Sequence, residues 1–153
     1  MEIYKNLNII GSNEYIDTEG FCIYAAKNPF WSNCQTNEII APVKGKNAIA
    51  VNLVDADDPK YFKVGIFKQL VRLISDKINS GDEVTIVCNM GKSRSASIGL
   101  LYLSAIGEIS KESYKKAKQD FIKVYPTYSP GRGISLFLDN TWSIFFPNRK
   151  RNL

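Results

Sequence analysis

Hydrophobic positions along this chain fall into short, dense runs that alternate with longer stretches of helical spacing. Asn6 to Ile10 and Phe21 to Ala25 are compact apolar runs that predict early strands, the first closed by Gly11-Ser12-Asn13. Ala48 to Val54, built of small and β-branched residues, predicts another strand. It ends in the acidic turn Asp55-Ala56-Asp57-Asp58-Pro59. From about Tyr61 to Asn79, Phe67, Leu70, Val71, Ile74 and Ile78 recur at helical spacing. Ser80-Gly81-Asp82 stops that helix and launches Glu83-Val84-Thr85-Ile86-Val87, a short buried strand.

Beyond that strand the pattern turns helical again. Ser95 to Ala105 reads as an apolar helix, broken at Gly107. Ser110 is placed to cap a helix through about Val124, which must stop before Pro126. Thr127 to Gly133 is rich in turn residues, and Ile134 to about Phe145 predicts a last helix. Strands alternating with covering helices predict an α/β fold, a central and mostly parallel sheet flanked by helices. No repeat or low-complexity linker divides residues 1–153, so one domain is expected.

Composition narrows the chemistry. The 153 residues carry a formal net charge of +5, which favours anionic partners such as phosphate groups, with nucleic acid a weaker possibility. There is no histidine, so Ser–His–Asp and Cys–His catalysis and histidine-ligated metal sites are excluded. Cys22, Cys34 and Cys88 are odd in number, widely spaced and without a CxxC pair. They fit neither a disulfide framework nor a zinc site and suit a reducing, cytoplasmic compartment. No signal peptide is expected at MEIYKNLNII, and no apolar run has membrane-spanning length.

The stretch CNMGKSRSAS, residues 88 to 97, carries the candidate chemistry. A strand ending in a tight loop that runs straight into a helix aims backbone N–H groups and the helix dipole at one point, which is a site for a tetrahedral oxyanion. Cys88 at its floor offers a thiol nucleophile, and Arg94 at its exit offers a planar fork for two phosphate oxygens. Gly91 permits close backbone approach, and Ser95 can hydrogen-bond the sulfur. Together they make a covalent phosphoryl-transfer site that needs no metal or other cofactor. A proton donor is still required for the leaving oxygen, and the Asp55–Asp58 turn is its obvious source. Gly91-Lys92-Ser93 echoes a Walker A motif, but Ile86 stands where that motif needs glycine.

CNMGKSRS resembles the cysteine phosphatase signature, Cys-x5-Arg followed by Ser or Thr, in its dual-specificity form with glycine at the fourth position. Asp57 lies 31 residues before Cys88, near the spacing of the general-acid loop in that family, and Phe67 sits early in the helix that follows. Pro126, Pro130 and Gly133 are spaced like the loop that leads into the family's last helix. The resemblance covers roughly residues 48 to 145; residues 12 to 47 match no common part of the pattern.

The resemblance implies a protein tyrosine phosphatase-like fold and a phospho-cysteine intermediate. Cys88 would be the nucleophile, Arg94 the phosphate clamp, and Ser95 the aid to sulfur release. The amides of Asn89, Met90, Gly91, Lys92, Ser93 and Arg94 would cradle the anion. Asp57 would be acid and then base, with Asp55 in reserve. Phosphotyrosine and phosphoserine/threonine in proteins are the expected substrates; Lys92 inside the loop and the positive charge leave a phosphoinositide or an RNA 5′-phosphate as alternatives, as does a catalytically inactive phosphate-binding module. One departure stands out: Val87 replaces the histidine that usually precedes the cysteine. Cys22 and Cys34 read as core or semi-buried thiols, one of which could shield Cys88 as a disulfide. Tyr125, Tyr128 and Trp142 read as packing residues, and Arg149-Lys150-Arg151 as a solvated end.

Overall fold

A computed structural model of the chain describes residues 1–11, 20–26, 40–43 and 45–147. Among these, six strands form one sheet: β1 Glu2–Tyr4, β2 Leu7–Gly11, β3 Phe21–Tyr24, β4 Ile40–Pro42, β5 Ala48–Val51 and β6 Val84–Cys88. The spatial order is β1-β2-β6-β3-β5-β4. The four central strands run parallel, with Ile9 opposite Ile86, Ile23 opposite Ile86, and Ile23 opposite Ile49. The two edge strands, β1 and β4, are antiparallel to their neighbours. The sheet is therefore mostly parallel, as expected, and the carboxyl ends of β2, β6, β3 and β5 share one edge.

Four helices cover this sheet: α1 Val64–Asn79, α2 Arg94–Ala105, α3 Tyr114–Val124 and α4 Arg132–Phe145. Side-chain alternation sorts the strands. Leu7, Ile9, Phe21, Ile23, Val84 and Ile86 point into the main core, to which all four helices contribute. Cys22, Tyr24, Ala48, Ala50 and Val87 form a smaller apolar cluster on the opposite face. In α1 the stripe narrows to Phe67, Leu70 and Ile74 as the fully buried members. Each contributes about 1.5–3 kcal/mol relative to exposure. Helix α2 is buried from Arg94 through Ser104, its polar members Arg94, Ser95, Ser97 and Ser104 included. It lies so close to the sheet that a Cβ at Gly99 would fall 2.7 Å from Ile9 Cδ1.

Several boundaries differ from the pattern reading. Asn6 does not open a strand; it turns the β1–β2 hairpin with φ +65°, a left-handed conformation that Asn tolerates better than most residues. The strand expected over Ala48 to Val54 ends at Val51; among the described residues, Asn52 to Val54 have no strand partner. Ser113, not Ser110, caps α3, accepting from Lys116 N at 3.1 Å. Ser110 is occupied otherwise: its hydroxyl accepts from Glu112 N and its N–H donates to the Asp120 carboxylate. Helix α4 starts at Arg132, two residues earlier than expected. The Ser12-Asn13 turn, Cys34 and the Arg149–Arg151 tail lie outside the described residues.

Candidate active site

Cys88 is the last residue of β6 and sits at the shared carboxyl edge, opposite Gly11 of β2. It is a free, buried thiol. The chain then turns through residues 89–93 and enters α2 at Arg94. Two geometric conditions allow so tight a turn. Gly91 takes φ +69°, and it presses against the end of β2, where a Cβ would meet Gly11 N at 2.7 Å and Ile10 C at 2.8 Å. Any side chain here would be both strained and in collision. Ser93, at the cap position of α2, makes no side-chain cap; its hydroxyl accepts from Gly131 N at 2.8 Å instead. The amide-rich head of α2 thus keeps donors that its own cap residue does not satisfy.

The structure brings two of the sequence-derived residues into contact and anchors a third nearby in the chain. Cys88 Sγ and Ser95 Oγ are 3.0 Å apart, a buried hydrogen bond. Arg94, only 6% exposed as a residue, donates through Nη1 to the Leu53 carbonyl at 2.9 Å. That bond ties the Arg94 side chain to the segment leading into the Asp55–Asp58 turn. The outer part of the loop is open, with Asn89, Met90 and Lys92 exposed.

The aspartates of the turn have separate surroundings. Asp58 caps a single 3-10 turn over Pro59–Tyr61, accepting from Lys60 N at 2.9 Å. Asp55 and Asp57 are exposed. The Asp55 carboxylate lies against Gly131, where a Cβ would fall 2.9 Å from Oδ1. The backbone of residues 56–57 lies against Gly133, where a Cβ would fall 1.9 Å from the Ala56 carbonyl oxygen. The segment 131–133 therefore touches the acidic turn on one side and Ser93 of the 89–93 loop on the other.

Residues that pattern reading treated as packing have further contacts here. Tyr125, Tyr128 and Trp142 are buried, as expected of core aromatics. The Tyr125 hydroxyl also donates to the Gly91 carbonyl, and Ser129 N donates to the Lys92 carbonyl at 2.8 Å. Behind α2, Ser97 Oγ and Tyr128 Oη lie 2.8 Å apart, and Tyr128 and Tyr114 hydroxyls 3.0 Å. Burial pushes the Tyr128 phenol well above its usual range and the Tyr114 phenol up as well. The sequence carries no signal for these pairings beyond the turn-rich composition of 126–133, because each spans 14 or more residues.

Cys22 is not placed to shield Cys88. It is paired with Thr85 and faces the opposite side of the sheet. Three residues along a strand put the two about 10 Å apart lengthwise, beyond the roughly 7 Å limit between disulfide-bonded Cα atoms. Val87 packs in the small cluster with Cys22 and Tyr24, which explains why an apolar residue fits before the cysteine. A separate groove of about 420 Å³, lined by Arg72, Tyr102, Ile106 and Phe146 among others, lies by the far end of α2 from Cys88. No helix among the described residues is long and apolar enough to cross a membrane.

No sequence-family model matches the chain, and no curated protein sequence does. Solved structures do. The human tyrosine phosphatase-like serine/threonine/tyrosine-interacting protein superposes with a TM-score of 0.71 at 17% identity, over 94% of this chain and 95% of that one. Human DUSP28 gives 0.67 at 15% identity, covering 93% and 94%. OH1 from the Orf virus, described as a tyrosine phosphatase with triple substrate specificity, gives 0.59 at 10% identity, covering 97% and 87%. The chain has the dual-specificity phosphatase form of the tyrosine phosphatase fold.

Proposed function

We propose that this chain is a cysteine-dependent phosphatase acting as one catalytic domain on phosphate monoesters, with phosphotyrosine and phosphoserine/threonine in proteins as its main substrates. One observation carries the reading. A buried thiol lies 3.0 Å from the Ser95 hydroxyl at the head of a buried helix, with Arg94 beginning that helix. The fold neighbours described as phosphatases support it.

The chemistry follows from the parts. Cys88 Sγ, as thiolate, attacks phosphorus; the S–P bond forms as the bond to the leaving oxygen breaks, and the Asp57 carboxyl supplies that oxygen's proton. Water then attacks phosphorus and gives its proton to the Asp57 carboxylate. The S–P bond breaks, Ser95 hydrogen-bonds the departing thiolate, and inorganic phosphate leaves. Arg94 and the amides of residues 89–94 hold the equatorial oxygens throughout, and such charge stabilisation supplies most of the rate in phosphoryl transfer. A thiol nucleophile must stay reduced, which fits a cytoplasmic location.

A second reading, a phosphate-binding module without turnover, has one observation in its favour: the human neighbour whose name describes it as phosphatase-like and as an interacting protein. A phosphate-release panel of aryl phosphate, phosphopeptides, phosphoinositides and 5′-phosphorylated RNA, with Cys88→Ser as the blank, separates the readings. Release from phosphopeptides that vanishes in the variant is the expected result. Preference for the lipid or RNA arm would move the substrate class, and tungstate binding without any release would establish the module.

A further inference from the structure

An anion cradle works only if its N–H groups face the anion, and something must hold the backbone in that orientation. In a planar trans peptide the carbonyl and the next N–H point in opposite directions. Fixing the Gly91 carbonyl therefore fixes Lys92 N–H, and fixing the Lys92 carbonyl fixes Ser93 N–H. Both carbonyls are taken by the segment between α3 and α4: the Tyr125 hydroxyl donates to Gly91 O, and Ser129 N donates to Lys92 O at 2.8 Å. Gly131 N adds a third tie to the Ser93 hydroxyl. From the strand side, Val87 lies in an apolar cluster and offers the loop no side-chain hydrogen bond.

We propose that Tyr125 is a positioning residue for the anion loop, the principal member of a brace formed with Ser129 and Gly131 that turns the Lys92 and Ser93 amides toward a bound oxyanion. This rests on the phosphatase reading of the same loop. The aromatic ring itself belongs to the core, packed 5.8 Å from Phe121 between ring centroids. The hydroxyl, which reaches the loop across 34 residues of sequence, is the part with the positioning role.

Tyr125→Phe keeps the ring and removes the hydroxyl that donates to Gly91 O. The test compares it with the wild type and with Tyr114→Phe, which removes another buried hydroxyl, one bonded to Tyr128 and not to the loop. Each is measured for tungstate affinity, for kcat and KM on an aryl phosphate, and for melting temperature. Tyr125→Phe is expected to bind tungstate about tenfold more weakly and to lose about tenfold in kcat, the size of one lost buried hydrogen bond. Tyr114→Phe is expected to leave both within about twofold. Ser93→Ala cuts the third tie without touching the aromatic core, and a loss of about threefold keeps the brace testable should Tyr125→Phe not fold. Unchanged tungstate affinity in Tyr125→Phe, or equal losses in both tyrosine variants, would overturn the proposal. A wild type that binds tungstate but hydrolyses nothing defeats the phosphatase reading alone, and the brace is then judged on tungstate affinity. A wild type that binds no oxyanion defeats both.

Discussion

Gly133→Ala is a small change at a contact that joins the two halves of the proposed site. Gly133 lies in the first turn of α4, and an added Cβ would sit 1.9 Å from the Ala56 carbonyl oxygen and 3.0 Å from the Asp57 carbonyl carbon. Backbone atoms are not the far end of a flexible side chain, so residues 55–57 must move. Reaching even the closest contact that Cβ atoms show requires about 1 Å, and a misplacement of that size costs catalysis on the order of 100-fold. Stability changes little, because overpacking costs about 1–3 kcal/mol. Replacing a helical glycine returns about 1 kcal/mol of this. A melting temperature only a few degrees lower is expected in a domain of this length.

The signature of a displaced acid is its dependence on the leaving group. Phenyl phosphate, whose leaving oxygen needs a proton, should lose about 100-fold in kcat/KM. Nitrophenyl phosphate, whose leaving group departs as the anion, should lose less than about tenfold. Tungstate affinity should stay within about twofold of wild type, since Cys88, Arg94 and the loop amides are untouched. Full activity of Gly133→Ala on phenyl phosphate would show that this contact does not position the acid. Equal losses on both substrates would show the same.

Asp57→Asn should reproduce that leaving-group dependence with a loss of about 10²–10⁴-fold on phenyl phosphate, while Asp55→Asn stays near wild type; steady-state kinetics on both substrates decide between the two carboxylates. Arg94→Lys keeps the charge but loses the planar fork, and is expected to cost about 1.5–3 kcal/mol of transition-state binding, read as kcat/KM. Stability should fall in strong base. The Tyr128 phenol is raised by burial above the value of 10.0 that it regains on unfolding, so its contribution is complete below that pH and is lost as pH rises through the folded-state value. Melting curves across that range should drop with the rise of tyrosinate absorbance, and Tyr128→Phe should flatten the slope.

Much of the fold is legible in the sequence because it depends on local pattern. The α1 stripe of Phe67, Leu70 and Ile74 and the dense run Val84–Val87 each announce their element. The Cys88–Ser95 loop is legible too, since its members are contiguous in the chain. The edge strands β1 and β4 have three residues each, too few for a period to emerge. Nor does the pattern reveal that β3 lies between β6 and β5. Ser110 and Ser113 are equally good caps by residue type, and only the structure shows that Lys116 N bonds Ser113 while the Ser110 hydroxyl takes Glu112 N. The least visible parts of the site are backbone groups. Leu53 O, Gly91 O and Lys92 O receive the bonds from Arg94, the Tyr125 hydroxyl and Ser129 N. A carbonyl is the same in every residue, so no reading of side-chain types could single these out.

In the proposed mechanism Cys88 carries the phosphoryl group during turnover. Rapid acid quench of the protein with aryl phosphate, followed by peptide mass spectrometry, tests it most directly. The expected result is one phosphoryl group on the peptide containing Cys88, absent in Cys88→Ser and accumulating in Asp57→Asn with nitrophenyl phosphate, where the water-activating base is missing. Phosphate release by the wild type with no phosphoryl group on Cys88, or release that survives in Cys88→Ser, would contradict it.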